Sequence, residues 1–313
     1  MSAPITDRLR GMHAAIIVPM TEDFRIDEAA LATHLRTVSH TPGIRGLLVN
    51  GHAAENFVLD AAEKRAVVAL ARAVAPPDCL ICAGVNAESS LEAAREAAAA
   101  EAAGADLLLV FPPNSWALGH DLECALLHHE HVLRATSLPV MLYGAPVGAG
   151  AMAYDPATLK RLVADPRIIG IKEGSWEVAA YEANRRYLMA LRPDFAVLGS
   201  GDEHLLTSYI IGSHGSQVSL AALAPELLVA FHDAASRGEW ARARELHEAI
   251  YPLSVAIYRA APGGRATARI KTALLRLGKI PCDALRPPQP PTSLSEQIIL
   301  EQAMCQAGLL KLT

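Results

Sequence analysis

Short apolar runs alternate with amphipathic stretches along most of the chain. Eight runs are rich in Ile, Val, Leu and Ala and lack a strict apolar–polar alternation, which is typical of parallel strands covered on both faces. They lie at residues 13–19, 44–50, 79–84, 105–111, 139–144, 167–172, 195–201 and 214–219. The pattern therefore predicts eight buried parallel strands separated by helices.

Helix start and stop signals lie between these runs. Asp60 is followed three residues later by Glu63, which is the spacing of a capping box. Asp155 stands directly before Pro156, so a capping side chain precedes a proline at the first helical position. Gly104 follows an Ala-rich stretch and is a typical helix stop. These signals predict helices between the strands.

Eight strand–helix units in roughly 235 residues match the size of a (β/α)8 TIM barrel. A doubly wound open sheet is the alternative, but its first strand is usually followed by a Gly-rich turn. Here the segment after the first strand, PMTEDFRID, contains no glycine. After residue 237 the pattern predicts helices only, at 239–260, 266–277 and 294–307. We therefore expect a barrel over residues 1–237 and a C-terminal helical extension over residues 238–313.

Composition and charge exclude several classes of protein. The chain of 313 residues has a formal net charge of −5 and no block of Lys and Arg, which argues against nucleic-acid binding. No apolar run approaches the roughly 20 residues that cross a bilayer. The first apolar stretch, residues 14–20, soon meets acidic residues, unlike a signal peptide. We expect a cytoplasmic protein with no membrane partner.

Two patterns suggest metal binding but have simpler interpretations. Cys79 and Cys82 form a C-x-x-C, yet residues three apart in a strand point to opposite faces. His128 and His131 are three apart on a predicted helix, without a matching carboxylate. We therefore expect no metal site, and we expect His13 to be a packing or surface residue.

The candidate chemistry lies in the sixth run. Strand alternation places Ile168, Gly170 and Lys172 on one face, and Ile169, Ile171 and Glu173 on the other. If Lys172 faces inward, it lies at the C-terminal end of a barrel strand, where barrel enzymes place their chemistry. Burial lowers the pKa of a lysine, and a neutral amine attacks a ketone to form a Schiff base. The alternative is a lysine that reaches solvent beside Glu173.

Neighbouring strand ends supply possible partners for this lysine. Tyr143 ends the fifth run, so its phenol would lie beside Lys172 and could shuttle protons. The second run is followed by Gly51, His52 and Ala53. The N–H groups of that turn could hold a carboxylate, and His52 could add a donor.

A set of short motifs follows in a fixed order along the chain. They are A-x-x-x-P at 15–19, G-x-x-x-E at 51–55 with EKR after it, Y-x-x-P at 143–146, G-I-K-E at 170–173, S-G-D at 200–202, G-x-H-G at 212–215 and R-P at 286–287. Through them the chain resembles the dihydrodipicolinate synthase and N-acetylneuraminate lyase family of Schiff-base lyases, over roughly residues 11–290.

The resemblance implies a (β/α)8 barrel with three C-terminal helices, assembled as a homo-oligomer, a tetramer or dimer. It implies that Lys172 forms an imine with pyruvate or another 2-oxo acid and that Tyr143 is the acid/base. The turn of Gly51, His52 and Ala53, together with Gly201, is expected to contact the substrate. No metal or organic cofactor is expected, because the protonated imine is itself the electron sink.

Three departures from the family pattern change the expected reaction. Family members usually carry Thr or Ser where this chain has His52 and Ala53, so a tyrosine–threonine proton relay cannot form. The synthase takes a further tyrosine from a neighbouring subunit, and the aligned position here falls near Asn114. It also binds the carboxylate of its second substrate with an arginine, and Gly148 stands in the matching place.

These departures predict a divergent aldolase, hydratase-aldolase or dehydratase, acting on a 2-oxo acid whose distal end is not an anionic amino acid. Gln217, Ser219 and Trp116 are candidate specificity residues, although Gln217 could simply fill the barrel and Trp116 could lie in a subunit interface. Authentic dihydrodipicolinate synthase activity and a non-catalytic barrel that binds 2-oxo acids remain as alternatives. Glu55 suits a structural carboxylate that holds backbone N–H groups better than a catalytic acid.

Overall fold

The computed structural model describes residues 4–311 and contains a closed barrel of eight parallel strands in sequential order. The strands are β1 (Gly11–Ala15), β2 (Ile44–Val49), β3 (Leu80–Val85), β4 (Leu107–Val110), β5 (Val140–Gly144), β6 (Ile168–Glu173), β7 (Ala196–Gly199) and β8 (Gly215–Val218). Each coincides with a predicted run, although β1 begins two residues earlier. The predicted TIM-barrel fold is confirmed.

Helices surround the barrel and continue beyond it. They are α1 (Ile5–Arg8), α2 (Glu28–Ser39), α3 (Ala61–Val74), α4 (Ser90–Ala102), α5 (Leu122–Ala135), α6 (Pro156–Leu162), α7 (Val178–Leu191), α8 (Leu205–Ile211), α9 (Leu220–Leu223), α10 (Pro225–Ser236), α11 (Trp240–Ser254), α12 (Ala266–Arg276) and α13 (Leu294–Gln306). A π-helical turn, Val255–Arg259, directly continues α11. Within residues 4–311, no helix combines the length and apolarity that a membrane span requires.

The predicted helix signals act as expected. The Asp60 side chain accepts a hydrogen bond from Glu63 N at 2.8 Å, and the Glu63 side chain accepts from Asp60 N at 2.9 Å. Asp155 caps α6 through Thr158 N at 2.7 Å. Each cap satisfies backbone donors that a helix leaves unpaired at its N-terminus.

Two apolar layers stabilise the barrel. One lies between the strands and the helices, and a smaller one fills the barrel interior. Cys79 belongs to the outer layer and Cys82 to the inner one, so the two thiols point to opposite sides as predicted. Burial raises the pKa of each thiol to about 12, so neither is a thiolate near neutral pH.

Strand β6 departs from the predicted alternation at its start. Ile168 packs in the outer layer and Ile169 in the interior, the reverse of the prediction. The cause is a register shift, because Val140 pairs with Ile168 whereas the next residue, Met141, pairs with Gly170. One residue of β6 is thus skipped in the pairing, as in a β-bulge.

The helices after residue 237 cover the C-terminal mouth of the barrel. Helix α12 contributes Thr267 and Ile270 to the cavity at this mouth, and the π-helical turn contributes Tyr258. Arg286, beyond α12, forms an ion pair with Glu63 of α3 and donates to Val58 O at 2.8 Å. The extension therefore builds part of the site.

Candidate active site

A cavity of about 510 Å³ opens at the C-terminal ends of the strands. Lys172 and Tyr143 both face it, together with His52 and Ala53 from the turn after β2. This is the end of a barrel at which enzymes of this architecture place catalytic groups. The structure therefore brings the two predicted residues, Lys172 and Tyr143, together at one cavity.

Lys172 and Tyr143 are direct partners in the pairing of β6 with β5. The Lys172 Nζ lies 5.9 Å from the centre of the Tyr143 ring. Lys172 is half-buried, with its remaining surface open to the cavity. Desolvation lowers the pKa of Lys172 to about 8, although Asp202 and Cys82 act in the opposite direction. About one-tenth of the amine is then neutral at pH 7.

Glu173, the next residue, lies on the other side of the strand. Its carboxylate accepts hydrogen bonds from Asn184 of α7 at 2.9 Å and from the Ser175 hydroxyl at 2.9 Å. Lys172 and Glu173 therefore do not form a solvent-facing pair, and the alternative interpretation of the lysine is wrong. Glu173 instead joins β6 to α7.

Tyr143 is buried in an aromatic environment. Its ring lies 4.6 Å from that of Phe111 and 5.2 Å from that of His52. Desolvation, with a smaller contribution from Glu173, raises the pKa of Tyr143 to about 12. The phenol is therefore protonated near neutral pH and can donate a proton or a hydrogen bond to a bound group.

The turn after β2 has the form of an anion cradle. Gly51 is buried, and its carbonyl accepts from Ala54 N at 3.0 Å. The N–H groups of His52 and Ala53 make no backbone hydrogen bond within the described chain. The His52 ring packs 4.4 Å from Phe111. Desolvation and the nearby Lys172 lower the pKa of His52. A neutral imidazole with two free amides suits a carboxylate.

Glu55, which follows this turn, is fully buried and forms an ion pair with Lys271 of α12. The Lys271 ammonium also donates to Ala284 O at 2.9 Å. A structural carboxylate was expected here, but with backbone N–H partners. The actual partner is a lysine from the C-terminal extension, which local sequence does not indicate.

Strand β8 and the residue after it present two polar groups at the cavity. Gln217 is fully buried, and neither amide atom has a hydrogen-bond partner among the described residues. Ser219 hydrogen-bonds Tyr258 at an oxygen–oxygen distance of 2.5 Å. Both side chains line the cavity, as the sequence-based assignment requires. The Cys82 thiol beside Gln217 is only a weak hydrogen-bonding group, so the buried amide is poorly satisfied, which favours contact with a ligand over barrel filling.

Asp202 is a site residue that the sequence reasoning did not assign. It is 2 % exposed and lines the cavity, whereas the preceding Gly201 lies outside the lining. Desolvation raises the pKa of Asp202 to about 7, against the opposing effects of Leu220 N–H, Lys172 and Tyr258. The S-G-D motif was the available signal for Asp202. Nothing local indicated Tyr258.

Three other predicted positions are placed as follows. Trp116 is buried outside the cavity lining, and its ring stacks on His120 at 4.2 Å. Asn114 borders the cavity, whereas Gly148 is exposed beside it on a short 3-10 turn, Val147–Met152. Nothing in these contacts places Trp116 against a substrate.

The histidines and cysteines considered for metal binding do not converge. His128 hydrogen-bonds Ser90 at 3.2 Å, and His13 is buried with its Nε2 3.0 Å from Leu9 O. His13 is therefore a packing residue and not a surface one. Across residues 4–311, no three or more His, Cys, Asp or Glu side chains are arranged to hold a metal ion.

Comparison with known sequences gives a consistent family assignment. The model of the family described as "Dihydrodipicolinate synthetase family" matches residues 8–307. The 4-hydroxy-tetrahydrodipicolinate synthase of Chelativorans sp. is 31% identical over 304 residues, which cover 96% of this chain and 99% of the relative. The 4-hydroxy-tetrahydrodipicolinate synthase 1 of Streptomyces coelicolor is 32% identical and covers 88% and 86%, respectively.

Solved structures show the same architecture. The synthase of Methylacidiphilum fumariolicum SolV is 26% identical with a TM-score of 0.86, covering 96% of each chain. YagE, a prophage protein of E. coli K12 solved in complex with pyruvate, is 24% identical with a TM-score of 0.88. It covers 96% of this chain and 99% of its own, and at this identity it supports the fold alone.

Proposed function

The chain belongs to the dihydrodipicolinate synthetase family and is a lyase, and we propose that Lys172 forms a Schiff base with pyruvate or another 2-oxo acid. The observation that carries this proposal is the position of Lys172. Its amine faces a closed barrel cavity beside a buried phenol, Tyr143. Its pKa is low enough for a nucleophilic fraction to exist near neutral pH.

The surrounding groups fit the steps of imine formation. The free N–H groups of His52 and Ala53 hold the carboxylate of the 2-oxo acid, which places its keto carbon at Lys172. The neutral amine attacks that carbon and gives a carbinolamine. Tyr143 then donates a proton to the departing hydroxyl, so that water leaves and the imine forms. No metal or organic cofactor enters this sequence of steps.

The second substrate of the proposed reaction is uncharged. Lys172 is the one Lys or Arg among the described residues that line the cavity. Its amine becomes part of the imine and is then not available to bind a carboxylate of the second substrate. For a carboxylate at the distal end of a substrate, the described lining offers the acidic Asp202 and no second cation. Aromatic side chains, including Phe57 and Trp176, line the remaining walls. We therefore propose an aldolase, hydratase-aldolase or dehydratase that uses a neutral aldehyde or its condensation product.

Authentic dihydrodipicolinate synthase activity is the alternative, and the cavity residues fit it less well, although the curated relatives carry that activity in their names. The position expected for a carboxylate-binding arginine is the exposed Gly148, and Asn114 replaces the expected tyrosine. The turn after β2 also lacks its hydroxyls. The imine chemistry is thus supported better than the condensation with an anionic aldehyde.

The proposal includes a homo-oligomeric enzyme in the cytoplasm. Leu118 is 94% exposed and Leu127 is 53% exposed, and such apolar side chains suit contact between copies of the chain. The five cysteines are free thiols, which fits a reducing compartment. Light scattering of the purified protein measures the assembly state.

Reductive trapping tests the central step. The protein is incubated with pyruvate, reduced with borohydride, digested and analysed by mass spectrometry. We expect a single adduct on Lys172 and none in Lys172→Arg. Lys160→Arg is the matched control, because Lys160 is exposed on α6, and it should keep the adduct. An unmodified Lys172 overturns the proposal.

Turnover separates catalysis from binding. In a separate assay without borohydride, the enzyme is incubated with pyruvate and a panel of neutral aldehydes, and also with aspartate semialdehyde. Condensation with a neutral aldehyde supports the proposed function. An adduct that forms without condensation, cleavage or dehydration of any compound indicates a binding protein instead.

A further inference from the structure

A second phenol, that of Tyr258, lines the cavity that holds Lys172 and Tyr143. Tyr258 lies on the π-helical turn that follows α11, and such turns are frequent at functional sites. Its hydroxyl donates to Asp202 Oδ1 at 3.3 Å and hydrogen-bonds Ser219 at 2.5 Å. Trp176 packs on its ring at 5.2 Å. Two side chains thus hold the Tyr258 hydroxyl, and a third packs on its ring at the cavity.

Asp202 is the carboxyl group in contact with this phenol. Its Oδ1 accepts from Leu220 N at 3.3 Å and from Tyr258. Its Oδ2 accepts no hydrogen bond from the residues that the structure describes. The carboxyl borders the cavity, interacts electrostatically with Lys172, and has a pKa raised to about 7 by burial. Near neutral pH a fraction of Asp202 is therefore a carboxylic acid.

Among the described residues, Tyr143 has no hydrogen-bonded carboxyl or hydroxyl partner of this kind. It contacts the rings of Phe111 and His52, and the turn after β2 offers no hydroxyl in His52, Ala53 or Ala54. That turn therefore gives Tyr143 no hydroxyl relay through which a donated proton is replaced. Tyr258, by contrast, belongs to a chain of hydrogen bonds with Asp202 and Ser219.

We propose that Tyr258, supplied with protons by Asp202 and oriented by Ser219, protonates the carbonyl oxygen of the second substrate. This inference rests on the proposed function, since it requires the enamine at Lys172. In the addition step, C-3 of the enamine forms a bond to the aldehyde carbon, and the carbonyl π electrons move to the aldehyde oxygen. That oxygen takes the proton of Tyr258, which Tyr258 recovers from Asp202. The step leaves an iminium at Lys172 opposite an Asp202 carboxylate, and cleavage runs in reverse.

Two Tyr-to-Phe variants, both on α11 and the π-helical turn that continues it, test the proposed acid role of Tyr258. Tyr258→Phe removes only the hydroxyl. Tyr251→Phe is the control, because Tyr251 lies on α11 and its hydroxyl accepts from the exposed Arg259 outside the cavity. Three readouts are compared with those of the native protein. They are borohydride trapping of pyruvate on Lys172, exchange of the pyruvate methyl protons in D₂O, and condensation of pyruvate with glycolaldehyde, glyceraldehyde or benzaldehyde.

We expect Tyr258→Phe to keep trapping and methyl exchange within about twofold and to lose about 100-fold or more in condensation, the range of general acid catalysis. Asp202→Asn should lose condensation to the same extent once its rate is divided by its own trapping rate, because this change also shifts the pKa of Lys172. Tyr251→Phe should match the native protein. Condensation by Tyr258→Phe at the control rate overturns the inference. So does a parallel loss of exchange, which assigns Tyr258 to imine formation. A native protein that exchanges but condenses none of the three aldehydes also overturns it. Absence of the Lys172 adduct overturns the proposed function instead.

Discussion

Glu55 and Lys271 lie 216 residues apart in the sequence and form an ion pair in which both side chains are buried. Glu55 directly follows the turn that carries His52 and Ala53, and Lys271 lies on α12. The pair therefore ties the proposed carboxylate-binding turn to the C-terminal extension. Burying two charges is expensive unless each keeps its partner.

The first prediction concerns the stability of this pair. Lys271→Met leaves the Glu55 carboxylate buried without a counter-charge, which should lower the free energy of unfolding by about 3–5 kcal/mol. Denaturant unfolding followed by circular dichroism measures the change. The double variant Glu55→Gln/Lys271→Met should recover most of the loss. Arg276→Met is the control, since its pair with Glu301 is surface-exposed and worth at most about 1 kcal/mol. Equal losses in the two single variants contradict the prediction.

The second prediction concerns the pH dependence of imine formation. The pKa of Lys172 is about 8, and only the neutral amine attacks a ketone. The rate of trapping with pyruvate should therefore rise from pH 6.5 and level off above about pH 8.5. Asp202 raises the pKa of Lys172 through its charge. Asp202→Asn should consequently move the curve to lower pH, and a shift to higher pH contradicts this assignment.

The third prediction uses the unpaired amide of Gln217. Gln217→Leu removes two buried polar atoms that lack partners, so the free energy of unfolding should rise by about 1 kcal/mol. The same change should lower kcat/KM at least about tenfold, because a group that contacts the substrate is lost. Thermal unfolding and turnover are measured on the same preparation. Gln302→Leu, at an exposed position on α13, should change neither quantity. A Gln217→Leu protein that is less stable and fully active identifies Gln217 as packing only.

The fourth prediction introduces a cation at the cavity rim. Gly148 has no atom within 4 Å of the position that a Cβ would occupy, and its neighbour Pro146 lies nearer the cavity and lines it. Gly148→Arg should therefore fold normally. It should raise kcat/KM for aspartate semialdehyde by about tenfold or more, as expected for a charge-assisted hydrogen bond of about 1.5–3 kcal/mol. Gly148→Gln is the control of similar length without charge. Equal effects of both variants on neutral and anionic aldehydes refute the charge-based explanation.

Local sequence predicted the barrel because the information for each strand is local. Apolar runs mark the eight strands, and side chains such as Asp60 and Asp155 mark the helix starts. Lys172 was predicted for a related reason, since a lysine at the end of a buried run requires an explanation. Its inward orientation follows from alternation along the last three residues of β6.

Features that depend on distant partners were not predicted. The inward position of Ile169 arises from a register shift against β5. The local sequence of β6 does not determine how this strand pairs with its neighbour. Asp202 and Tyr258 meet across 56 residues, and Glu55 meets Lys271 across 216. A motif marked Asp202 but gave it no role, whereas Tyr258 stands in a helix with no distinguishing local pattern.

The cavity is built by two regions of the chain. The barrel strands supply the nucleophile and the neighbouring phenol, whereas Tyr258, Thr267 and Ile270 come from helices that enter the mouth from outside. Substitutions in those helices can retune the choice of aldehyde while the capture of the keto acid is preserved. In such a lyase, the helices at the mouth can change the aldehyde specificity while the barrel strands keep the nucleophile in place.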